Sequence, residues 1–165
     1  MVATTMVKIT SLIRKLEASY SQPNLSEARI IFQTGNAFHW NHLEHTLTYD
    51  PMHPHAAQYI FHELAHATLG HQGYTNSVQL LEMERDAWQH ASQLAHGYGV
   101  TIEDDVVQES LDSYRDWLHQ RSLCPHCAAT GVESAMFRYT CLACGHSWLS
   151  NEARNCALRR RSKNK

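Results

Sequence analysis

The stretch His62-Glu63-Leu64-Ala65-His66 decides how this chain of 165 residues is read. On an α-helix, positions i and i+4 point about 40° apart, so the two histidines share one face. Imidazoles placed in this way can bite one zinc ion at about 2.0–2.1 Å each. The flanking residues support a helix from Ala56 to Leu69: Phe61, Leu64, Ala65 and Thr68 form an inward stripe, and Gly70 and Gly73 end it. Relative to Phe61, the histidines lie roughly 100–140° round the wheel, beside the core-facing stripe and at the lip of a cleft. Glu63 turns away from the pair but can reach a water polarised by the ion. A catalytic zinc lowers the pKa of such a water towards ~7, and a carboxylate takes its proton as the oxygen attacks a carbonyl. The spacing points to metal-assisted hydrolysis with Glu63 as general base.

Zinc needs a third protein ligand and, for catalysis, an open position. Three residues compete for that role: His71, Glu82 and Glu84. His71 lies five residues after His66, beyond Gly70, at a spacing that matches no recognised pattern. Glu82 is followed four residues later by Asp86 on the same helix face. That pairing would let Glu82 ligate while Asp86 accepts a hydrogen bond from a ligand imidazole and fixes its tautomer. Glu84 instead falls on the apolar side with Leu80, Ala87, Ala91 and Ala95, where a carboxylate must be paired, ligate a metal or meet an interface. Glu82 is the expected ligand, with Glu84 and His71 as rivals.

With Leu81-Glu82-Met83-Glu84-Arg85-Asp86-Ala87-Trp88 following the histidine motif, the chain resembles gluzincin metallopeptidases, whose pattern is His-Glu-x-x-His and then Glu-x-x-x-Asp. Within that group it is most similar to minigluzincins and ImmA/IrrE-type peptidases, over roughly Lys8 to Ala95. The resemblance implies His62, His66 and Glu82 as ligands and Glu63 as base. It also implies that Thr46–Tyr49 is the rim strand on which an extended peptide substrate pairs. Arg85 and Trp88 stand where the family often has a small residue and phenylalanine. Alternatives are an SprT-like protease acting on DNA-associated proteins through three histidines, and a latent or inactive two-zinc regulatory protein.

Further along, Cys124-Pro125-His126-Cys127 and Cys141-Leu142-Ala143-Cys144-Gly145 form two knuckles separated by 13 residues. Each presents two thiolates, and two knuckles complete a tetrahedral zinc site with no open position. Phe137-Arg138-Tyr139-Thr140 reads as a strand leading into the second knuckle. Cys156 has no partner in the sequence. A module of this size cannot fold on apolar burial alone, so a bound ion would supply much of its stability. The cofactors expected are two Zn²⁺, one catalytic and one structural.

Around these motifs the chain reads as α+β: a zincin-like, mainly helical domain with a small mixed sheet, then a zinc ribbon. Helices are expected over Lys8–Tyr20, ending near Gln22-Pro23, over Ser77–Ala95, and over Ile102–Leu118 with Glu103, Asp104 and Asp105 at its N-terminus. Strands are expected at Arg29–Gln33 and Thr46–Tyr49, with a turn at Gly35-Asn36. The expected division is 1–121 peptidase domain, 122–150 ribbon and 151–165 a frayed basic tail with Arg154 and Arg159 to Arg161. A net charge of -2 gives no global pull towards nucleic acid or membranes, and no apolar run is long enough to span a bilayer. The expected partner is a protein or peptide substrate; nucleic acid, through ribbon and tail, is not favoured. Lys8 and Arg14 interrupt the modestly apolar N-terminal stretch, so a cytoplasmic home is the default expectation.

Overall fold

Four helices and seven strands form among the described residues of this computed structural model, which are 2–21, 29–152 and 156–162, the side chains of 2–7 excepted. In chain order they are α1 (Val2–Tyr20), β1 (Ile31–Thr34), β2 (His39–Asn41), β3 (Thr46–Tyr49), α2 (Ala56–Thr68), α3 (Ser77–His96), α4 (Asp104–Ser122), β4 (Gly131–Ala135), β5 (Arg138–Cys141), β6 (Ser147–Ser150) and β7 (Arg160–Ser162). The architecture is mixed α+β, with a three-stranded and a four-stranded sheet. None of these helices is long and apolar enough to cross a membrane. The helix stop expected at Gln22-Pro23, and Arg154, lie outside the described residues.

The chain divides into two compact units, residues 1–72 with 85–107 and residues 73–84 with 108–165. One cut falls inside α3, between Glu84 and Arg85, although that helix is uninterrupted.

In the first unit, Ile9, Leu12, Ile13 and Leu16 repeat at helical spacing and bury one face of α1. They share a core with Leu47 and Tyr49 of β3, Ile60, Phe61, Leu64 and Ala65 of α2, and Ala87, Ala91 and Ala95 of α3. Alanines on that last stripe leave room for the close approach of another element. The sheet has the order β1-β3-β2, with β1 parallel and β2 antiparallel to β3. The turn into β3 forms because Asn41 Oδ1 accepts from the backbone N–H groups of Leu43 and Glu44, at 3.0 and 3.3 Å.

That order corrects one expectation. Thr46–Tyr49 is the central strand, paired along its length with β1 on one side and from Thr46 to Thr48 with β2 on the other. Its backbone groups are already in ladders, so it cannot take up an extended peptide. The sequence of β2 carries too short a pattern to have marked it as the flanking strand.

In the second unit, β4 to β7 form an antiparallel sheet in sequential order, and an isolated bridge joins Leu123 to Thr130. Trp148 is fully buried, stacks on Tyr139 and donates its indole N–H to the Arg121 carbonyl at 3.1 Å. Gly131 is needed where β4 passes this indole: a Cβ there would collide with the Trp148 ring. α4 runs four residues past the expected Leu118, and Arg121 at its end is completely buried. The Arg121 guanidinium lies 4.0 Å from the Trp117 ring centroid and donates to Ser77 Oγ at 2.8 Å. Part of the expected frayed tail is ordered as β7, paired with β6. Asn151 anchors its approach, donating to the Ala157 carbonyl and accepting from the Arg159 N–H.

Candidate metal centres

Helix α2 presents its histidines because its other residues are committed elsewhere. Ile60, Phe61, Leu64 and Ala65 are fully buried in the core, which fixes the rotation of the helix. His62 is thereby buried and His66 half-buried at the margin of that core. Their Nε2 atoms approach to 3.1 Å and their rings stand at 89°. A tetrahedral ion bound at about 2.0–2.1 Å would separate two donor nitrogens by about 3.3 Å, so the pair is close to ligating geometry. Trp88 of α3 is stacked on His62, with centroids 4.2 Å apart, and holds that ring from the side.

The third donor is Glu84. One carboxylate oxygen of Glu84 and one nitrogen each of His62 and His66 all lie within 4.8 Å of one another. Glu84 comes one turn before Trp88, on the stripe that continues through Ala87, Ala91 and Ala95 into the first core. Because α3 is continuous, that packing carries Glu84 to the histidines. Only 5% of Glu84 is exposed. Carboxylates so far from water are paired or hold a cation, so this donor set fits a metal ion.

The other candidates fall elsewhere. Glu82 is exposed and does not join the group. Two residues along a helix is a rotation of about 200°, so a side chain two positions from Glu84 points away from the core. Asp86 is also exposed, and its carboxylate pairs with Arg85 at 2.8 Å. Glu63 follows His62 on α2 and is half-buried. His71 does reach the site, but on its far side: its Nδ1 lies 2.9 Å from Nδ1 of His66, the nitrogen opposite the one that faces His62.

Sequence reasoning gave no role to this His66–His71 contact or to the stacking of Trp88. The available signal for the first was Gly70, which adopts φ 68° and reverses the chain after α2.

The second centre is the cysteine group, in which Cys124, Cys127, Cys141 and Cys144 each bring a sulfur within 4.8 Å of the others. Cys124 and Cys144 sulfurs are 3.7 Å apart, and those of Cys127 and Cys141 are 3.5 Å apart. A tetrahedral ion with bonds of about 2.3 Å to sulfur has donor separations of about 3.8 Å. All four thiols are free.

The two knuckles are built alike. In each, the residue after the second cysteine donates back to the first cysteine's carbonyl at 2.9 Å, from Ala128 to Cys124 and from Gly145 to Cys141. Both residues take positive φ, 61° and 72°. A donating Cys144 N–H is the main cause that lowers the Cys141 thiol to about 7. For Cys144 the His146 N–H pulls the thiol down, but burial and the neighbouring thiols carry it up to about 12. Four sulfurs so crowded cannot all ionise unless a cation shares the site. His126 and His146 stack on each other beside the knuckles and are not in the group.

No family model, no curated protein and no solved structure matches this chain.

Proposed function

We propose that the protein is a zinc-dependent endopeptidase whose ion is held by His62, His66 and Glu84. The observation that carries this reading is the meeting of two imidazoles on α2 with a buried carboxylate from α3. One acid and two imidazoles, with a position left open, form the donor set of hydrolytic rather than structural zinc sites. Bound there, zinc would act as a Lewis acid, polarising a peptide carbonyl and making a nearby water acidic. Glu63, next to His62 and half-exposed, accepts the proton of the attacking water and returns it to the leaving amine.

An extended substrate needs an open strand edge. β3 offers none, whereas β2 is paired on one side only among the described residues. Phe38, just before β2, stacks on Tyr59 of α2, and Tyr59 packs against Trp88, which lies on His62. A peptide added beside His39–Asn41 therefore has a continuous aromatic wall between it and the histidine pair. The four cysteines hold a second, structural zinc ion that leaves no position open. The three-histidine alternative is less well supported, because His71 meets the nitrogen of His66 that faces away from His62.

The test is cleavage of an unfolded, generic protein substrate by the full chain loaded with zinc. Wild type should cut it, and Glu63→Gln should keep its zinc while slowing at least about 100-fold. Zinc-loaded wild type that leaves the substrate intact, or a Glu63→Gln variant that cuts equally well, contradicts the proposal.

A further inference from the structure

We propose that His71 is a positioning residue for the metal centre: it accepts the hydrogen bond that fixes His66 in the tautomer able to ligate through Nε2. The inference rests on the metal-binding reading of His62, His66 and Glu84 and adds a residue that does not itself ligate.

The geometry begins in the backbone. Leu69 is the C-cap of α2, and Gly70 takes the left-handed conformation with φ 68°. The Gly70 N–H donates to the Ala67 carbonyl at 3.2 Å, and the His71 N–H to the His66 carbonyl at 3.0 Å. These two bonds form the Schellman cap, which turns the chain back over the last helical turn. The cap therefore ties the backbone of His71 to that of His66, and the side chains follow. Their Nδ1 atoms are 2.9 Å apart, with ring centroids at 5.0 Å. The five-residue interval between the two histidines works only because the chain reverses at a glycine.

A neutral imidazole carries one proton. If His66 uses Nε2 towards His62 and the ion, its proton sits on Nδ1, and that proton needs an acceptor. His71 Nδ1 is at hydrogen-bond distance from it, which places the proton of His71 on its own Nε2. Metal-bound histidines ordinarily give this outer bond to a carboxylate, backbone carbonyl or water. Asp86, the carboxylate whose spacing suits that role, is engaged by Arg85 at the surface. An imidazole takes its place.

Two measurements test this. In the metal-free full chain, long-range ¹⁵N–¹H NMR should show His66 protonated on Nδ1 in wild type. In His71→Ala the Nε2-protonated form should appear. Zinc affinity, read by competition with a chromogenic chelator, should fall about 10–100-fold in His71→Ala, the range for losing an outer partner. It should recover in His71→Asn, whose side-chain oxygen can accept the same bond. Unchanged affinity in His71→Ala, or an Nε2-protonated His66 in wild type, overturns the proposal. So does a loss in His71→Ala as complete as in His62→Ala, which would make His71 a ligand. Wild type that takes up zinc only at the cysteines would instead sink the metal-centre reading, whatever the NMR shows of the His66–His71 bond.

Discussion

Glu82 and Glu84 lie two residues apart on one helix, so their side chains diverge by about 200° and cannot serve the same ion. The structure gives the buried place to Glu84 and the solvent to Glu82. Glu84→Ala should therefore weaken zinc binding by more than the roughly 100-fold typical of outer partners, whereas Glu82→Ala should leave it unchanged. Isothermal titration of the two variants checks this, and equal losses would show that the helix turns differently. The signal was legible in the chain, since Glu84 keeps step with Ala87, Ala91 and Ala95. The Glu82–Asp86 interval and the resemblance to a family pattern point to Glu82 instead, and periodicity is the better guide because burial follows the wheel. Trp88 is a second residue-scale case. It is 2% exposed and supports His62 by stacking. Removing its ring in Trp88→Ala should cost about 3–5 kcal/mol in urea unfolding, with Trp88→Phe costing less.

Among the elements, the longer helices were readable, and so were strands with a local pattern: Thr46–Tyr49 is β3 as expected, and Arg29–Gln33 and Phe137–Thr140 overlap β1 and β5, whereas the shortest strands were not. The expected spans of α2 and α3 differ from the observed ones by a single residue each, because their apolar stripes recur over several turns. His39-Trp40-Asn41 and Arg160-Arg161-Ser162 are three-residue strands, defined by pairing with distant partners rather than by a local pattern. For the same reason the central position of β3 could not be foreseen: strand order is a property of the sheet. The knuckles offer a sharp test at this scale. Ala128 occupies the left-handed position that Gly145 fills in the second knuckle. Since that conformation costs an L-residue about 1–2 kcal/mol, Ala128→Gly should stabilise the protein by roughly 1 kcal/mol and Gly145→Ala should destabilise it similarly. At β4, Gly131→Ala would drive a methyl into the buried Trp148 ring, and should lower stability by about 1–3 kcal/mol.

Across the whole molecule, the two candidate centres use different donors: nitrogen and carboxylate between α2 and α3, and sulfur in the segment bearing the four-stranded sheet. Both motifs stood out in the sequence because a chemical spacing is local. What the sequence left open was the choice among named candidates: that Glu84 rather than Glu82 faces the histidine pair, and that His71 folds back over His66. The different donors imply that each ion can be removed separately. Cys124→Ser with Cys127→Ser should lose the structural zinc and much of the sheet's stability while leaving His62, His66 and Glu84 able to bind. The most direct measurement is the zinc content of the purified full chain, by elemental analysis, beside that of the His62→Ala/His66→Ala variant with all cysteines intact. The account predicts about two ions per chain in wild type and about one in the variant. A wild type that holds only one, or a variant that keeps both, would contradict it.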